Sequence, residues 1–198
     1  NYDPDALDYE SPVHEVTLSA HFLSKYEMTQ GQWLRLAGRN AAYYKQDNFA
    51  PTLLHPVEQV SWEDAVLWLP RVGLSLPSEA QWEYGARAGT TWPRWVGETK
   101  EALLGGQVNI ADQSYVNAGG RAGQAAELPE LDDGSAVHGE VGHKPANGFG
   151  LHEVLGNVWE WCMDGFAGYS AEPQTDPVAP PLGSALRVNR GGGFGASA

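Results

Sequence analysis

The chain has 198 residues, and its 25 acidic against 12 basic side chains give a formal charge of −13, a field that repels phosphate backbones and anionic lipid and argues against nucleic acid and membrane surfaces as partners. Its length and 42% hydrophobic content suit one globular domain over residues 1–198, with a core made aromatic by eight Trp, eight Tyr and five Phe. Twenty-four Gly and 13 Pro exclude long helices and a regular sandwich, and they predict a backbone run largely in tight, irregular loops.

Pro12 to Phe22 alternates apolar and polar residues and predicts a strand near a sheet edge. Thr29 with Gln32 has the spacing of a capping box, followed by Trp33 and Leu36 and stopped by Gly38. Arg39 to His55 follows neither period and is expected as loop. Ser61 caps a second helix, with Asp64 at the reciprocal position, Ala65, Trp68 and Leu69 along one side, and Pro70 as its end. Ser78 with Gln81 opens a third, which Gly89 closes. Beyond Thr90 the regular signals fade, and the Ala/Gly-rich stretch from Asn117 to Ala126 is the expected mobile loop. Gly150 to Trp161 packs apolar and polar residues densely, and Arg187 to Phe194 predicts a strand running into a glycine turn. No apolar run approaches the roughly 18–20 residues of a membrane span, and the first ten residues lack a signal layout, so a soluble protein, or a domain cut from a larger one, is expected.

Four stretches carry a resemblance in order and spacing: PVHEVTLSAHFLSKYEMTQGQW, HPVEQVSWEDA, LSLPSEAQWEYGARAG and NGFGLHEVLGNVWEWCMDGF, followed by RVNRGGGF. Together they resemble the formylglycine-generating-enzyme, or sulfatase-modifying-factor, family. That family also includes the sulfoxide synthases of ergothioneine and ovothiol synthesis, domains attached to bacterial protein kinases, and variable proteins of diversity-generating retroelements. The resemblance implies an α+β, C-type-lectin-like fold with little regular secondary structure. It also implies a chain clipped at both ends, since relatives carry a Met-Gly-Ser strand before Pro12 and an arginine-containing stretch after the Arg-Gly-Gly turn.

Hard divalent ions take six to eight oxygens from carboxylates and from carbonyls turned inward by glycine, and Glu153 to Glu160 offers such a set. The resemblance implies one structural Ca2+ site on Glu153 and Glu160 with the carbonyls of Gly156 and Val158. Relatives more often place Asp or Asn at the position of Glu153. The resemblance implies a second Ca2+ site on Asn109 and Asp133 with the carbonyls of Ile110 and Ser135. Without it, Asp132-Asp133-Gly134 is a solvated turn and Glu160 a surface or satisfied core acid.

The family's copper oxidases hold Cu(I) with two thiolates. The first should lie six residues after Arg190, where this sequence has Ala196, and the second would lie past Ala198. Gly193 replaces the serine that usually follows Arg-Gly-Gly. Cys162, the single cysteine, excludes an intrachain disulfide and is expected as a small core residue. His14, His21, His55, His138, His143 and His152 show no close ligand pair in the sequence, and Glu127 and Glu130 are expected as solvent-facing charge. No glycine-rich phosphate loop or Ser-His-Asp arrangement emerges. The expectation is a copper-free pseudoenzyme that binds a peptide or small-molecule ligand, with Trp92, Trp95 and Tyr115 as candidate groove aromatics, inside a larger protein such as a kinase fusion. Two alternatives stay open: an oxidase or iron-dependent sulfoxide synthase with metal ligands elsewhere, and a retroelement-diversified binder.

Overall fold

Three N-cap side chains set the helices of the first half, as a computed structural model describing residues 8–45, 52–126, 128–180 and 186–197 shows. Helix α1 (Gln30–Ala37) opens with Thr29 accepting from the Gln32 amide while Gln32 Oε1 accepts the Thr29 N–H at 2.8 Å. Gly38 then ends it in the left-handed conformation, φ 73°. Helix α2 (Trp62–Trp68) starts where Ser61 accepts from the Asp64 amide. The Asp64 carboxylate does not reach back. It binds Arg39 Nη2 at 3.0 Å, because an aspartate stem is shorter than the Glu or Gln of a full capping box. Pro70 does not end the helical course either: a 3-10 turn, Leu69–Val72, carries the chain on to Gly73, since proline near the start of a helical turn loses no amide that would have been bonded. Helix α3 (Glu79–Arg87) has the reciprocal Ser78–Gln81 box, and its left-handed cap is Ala88, one residue before the expected Gly89. Helix α4 is short, Gln113–Asn117, capped by Asp112.

The strands are sparse. Of the alternating stretch Pro12 to Phe22 only β1 (Val16–Thr17) pairs, parallel with β3 (Gln174–Thr175). Phe22 is fully exposed, so the alternation does not continue as a buried face to its end. The longer pair is β2 (Glu160–Gly165) with β4 (Arg187–Arg190), antiparallel, with Glu160 opposite Arg190 and a register break between Trp161 and Gly165. Helix α3 packs on both.

Two apolar clusters hold these pieces. Trp82 and Ala86 of α3 meet Val154, Cys162 and Val188, with Trp95 and Leu151 against them. Leu103, Val108, Ile110, Leu128 and Leu131 form the second, with Val96 and Leu155. The Asn117 to Ala126 stretch, expected to be mobile, has a 3-10 turn at Ala122–Gln124, and Gln124 accepts the Tyr115 hydroxyl and donates to the Gly195 carbonyl. The result is an α+β fold with little regular secondary structure, as expected. Among the described residues no helix is long and apolar enough to cross a membrane.

Candidate divalent-ion sites and the position of Ala196

Between Leu151 and β2 the backbone turns through three left-handed residues: Glu153 (φ 52°), Gly156 (φ 83°) and Asn157 (φ 59°). A side chain at Gly156 would collide with the Asn109 carbonyl oxygen, so glycine is what lets this loop lie against residues 109–110. Asn109 and Gly156 form a parallel bridge, and the Asn157 amide donates to the Asn109 carbonyl at 2.7 Å. The two expected ligand sets therefore share a wall.

Asn157, buried, is the hub of that wall. Its Oδ1 accepts from Asn109 Nδ2 at 3.2 Å and from the Gly139 amide at 2.8 Å, and its Nδ2 donates to Glu27 Oε2 at 2.6 Å. Glu27 also accepts from the Val158 amide at 3.3 Å. Glu153, 4% exposed, uses both carboxylate oxygens, accepting at 2.9 Å from the Gly142 and Lys144 amides. Glu160 accepts from Trp82 Nε1 at 3.2 Å. Burial pushes the Glu160 carboxyl up to about 7, with the Glu153 charge adding and the Trp82 bond opposing. Burial, and then the charges of Glu160 and Glu153, hold Glu27 well above the ordinary range. Glu153 and Glu160 lie close enough to raise the Glu27 carboxyl, and the groups hydrogen-bonded to the three acids are neutral donors, an arrangement that a cation relieves.

In the second set, Asp133 accepts from the Ser135 amide through Oδ1 at 2.7 Å, and the Asp133 amide donates to Asp112 Oδ2. Burial raises Asp133 to about 6 while Lys144 opposes the shift. Asn109 Nδ2 donates to the Val137 carbonyl at 3.1 Å. The remaining oxygens, Asn109 Oδ1 and Asp133 Oδ2, are buried without a hydrogen bond. Such orphaned oxygens fit a hard cation, because unpaired burial is costly. Ile110 is buried in the second apolar cluster, which leaves its carbonyl as its contribution. Among the described residues no three His, Cys, Asp or Glu side chains could by themselves hold a metal. Each expected set has at most two such side chains, so Ca2+ would be completed by Gly156, Val158, Ile110 and Ser135 carbonyls.

Glu27, Asn157 and Lys144 escaped the reading of the sequence. Asn157 had a signal: asparagine beside glycine tolerates the left-handed conformation that a sharp ligand loop needs. Glu27, just ahead of the α1 cap and 130 residues from Asn157, had none.

Histidine spacing also misled. His55 and His138 bring their Nδ1 atoms within 3.1 Å across 83 residues. Both are buried, and burial lowers both, His138 to about 4. A close pair therefore exists, though as two neutral rings, with His138 packed against Tyr44 and Phe194.

At the end of β4 the chain turns through Gly191–Gly193, and Ala196 closes back, its amide donating to the Gly193 carbonyl at 2.7 Å and its carbonyl accepting from Ala111. Exposed Trp159 (56%) stands over Gly193. Trp159 was not among the expected groove aromatics, although its alternation with buried Val158 placed it on the outer face. Of those that were, Trp92 is exposed but Trp95 is partly buried and packs against the core. Tyr115 is clamped internally, against Gly120, Gly195 and Phe194. Glu130 is exposed, as expected, and Glu127 lies outside the described residues.

Cys162 is fully buried on β2, and burial pushes its thiol far up, so it supplies no thiolate at neutral pH. A thiol reagent is expected to leave Cys162 unmodified in the native protein and to label it completely after unfolding in urea; rapid native labelling would contradict this burial.

An open groove of about 1480 Å3 lies between β1, α3 and residues 164–180, with Glu79, Glu83, Tyr169 and Arg190 in its wall. Arg190 bridges Glu79 and Glu83 at 3.1 and 3.4 Å, and Tyr169 donates to Glu79.

The whole chain, residues 1–198, matches the Sulfatase-modifying factor enzyme 1-like domain. A protein named formylglycine-generating enzyme from Streptomyces coelicolor is 36% identical over 148 residues, covering 71% of this chain and 42% of that protein. The serine/threonine-protein kinase pkn1 of Chlamydia caviae is 28% identical over 210 residues, covering 92% of this chain and 29% of the kinase. The chain thus spans less than half the length of either. Among solved structures, PvdO from Pseudomonas aeruginosa superposes with a TM-score of 0.73 at 25% identity, covering 98% of this chain and 78% of PvdO. With the match running from end to end, the chain belongs to the sulfatase-modifying-factor family of formylglycine-generating-enzyme-like domains.

Proposed function

We propose that this chain is a calcium-stabilised family domain without the copper oxidase chemistry, acting as a ligand-binding module of a longer protein. Ala196 is the observation that carries the reading. A methyl group stands where the first thiolate belongs, and the one cysteine is buried on β2. The unrelieved acids Glu27, Glu153 and Glu160 support structural Ca2+ with Glu153 and Glu160 as side-chain ligands, and the buried, unbonded oxygens of Asn109 and Asp133 support a cation at the second set. The exposed Trp159, and the groove walled by Arg190 and Tyr169, offer surface for a peptide or a small molecule. The similarity to a segment of a kinase supports a fused architecture.

The test is an aldehyde assay: the purified protein with copper, oxygen and a cysteine-containing sulfatase peptide. No turnover is expected, and formation of formylglycine would overturn the reading. The identity to the Streptomyces enzyme favours a second reading, an oxidase whose metal ligands lie on residues outside this chain. Turnover by the full-length protein alone would select it.

A further inference from the structure

The two ion sites are not equivalent in charge. Among the described residues no Lys, Arg or His pairs with Glu27, Glu153 or Glu160. At Asp133 the chain brings its own cation. Lys144 Nζ lies 3.5 Å from the Asp133 carbonyl and 3.8 Å from Asp133 Oδ2, the two side chains being 8% and 0% exposed. We propose that the Lys144 ammonium replaces the divalent ion at the Asn109–Asp133 site, so that this half of the domain is held without calcium while the Glu153–Glu160 half requires it. The proposal rests on the calcium reading above and deepens it.

The delivery of that ammonium is fixed by its own main chain. The Lys144 amide donates to Glu153 Oε1 and its carbonyl accepts from His152 Nδ1 at 2.7 Å. The segment that caps Glu153 with neutral donors therefore places a positive charge in the neighbouring site. An ammonium is a compact charge with three donors, and it suits a pocket that offers a carboxylate oxygen and a carbonyl. With the ammonium removed and no ion in its place, the fully buried Asp133 carboxylate loses its cation, which is costly.

Calorimetric titration of the chelator-treated chain with calcium chloride tests this. Wild type is expected to bind one equivalent and Lys144→Met two. In chelator the variant's Tm is expected to be about 10 °C lower, with the loss restored by calcium. Two equivalents on wild type, or no gain in the variant, would overturn the proposal and leave the calcium reading intact. No calcium on wild type but one equivalent on the variant would sink that reading and keep the role of Lys144. No calcium on either protein ends both. Should the variant not fold, amine acylation of wild type mapped by mass spectrometry decides: Lys144 is expected to stay protected in chelator and in millimolar calcium, and exposure on adding calcium would overturn the proposal.

Discussion

Gly156→Ala is expected to lower the unfolding free energy by about 2–5 kcal/mol, a large share of the stability of an ordinary domain. Two costs combine: a left-handed residue with a Cβ loses about 1–2 kcal/mol, and an overpacked interior position loses about 1–3 kcal/mol more. Here the collision is with backbone, the Asn109 carbonyl, which cannot rotate away as a side chain can. Relief would separate Asn109 from Asn157 and open the wall they form. Urea unfolding with intrinsic tryptophan fluorescence measures the effect. A loss below about 1 kcal/mol, an ordinary value for a substitution, would show that the two segments are not in close contact.

Stability in chelator is expected to fall as pH rises, and calcium to lessen the fall. Glu160 titrates near 7 in the folded chain against 4.5 for an ordinary glutamate. A carboxyl raised by folding stabilises fully below the unfolded value, and this contribution is lost as pH climbs through the folded one. For Glu160 the loss is about 3 kcal/mol between pH 4.5 and pH 8. Glu27 and Asp133 shift in the same direction. His55 and His138, lowered by burial, act the opposite way: they weaken the fold as pH drops below about 6.5. The slope between pH 6.5 and 8 therefore reports the acids. Thermal melts of wild type and Glu160→Gln, each in chelator and in calcium, separate the contributions. The variant is expected to lose the Glu160 share of the slope, and a wild-type slope that is flat or rising across that range would remove the electrostatic case for an ion at Glu160.

The helix starts were legible because caps are local: Thr29 with Gln32 and Ser78 with Gln81 lie three residues apart, and the bonds that define them involve only those residues. The sharp turn between Glu153 and Glu160 was legible through its glycine. Its partners were not, because Glu27, the Gly142–Lys144 amides and Trp82 reach it only through the folded chain. The alternation at Pro12 to Phe22 predicted a longer strand than β1, since period two shows which face a residue takes but not whether a neighbouring strand exists to pair with it. The His55–His138 contact was invisible for the same reason that Glu27 was. Pairing across 83 residues leaves no mark in local spacing.

Asn157 closes loops of 130, 48 and 18 residues through three hydrogen bonds. Closing a loop costs entropy that rises with the logarithm of its length, and none of these closures is rewarded until distant segments have met. The wall around Asn157 is therefore expected to assemble late, on the slower timescale of folds dominated by nonlocal contacts.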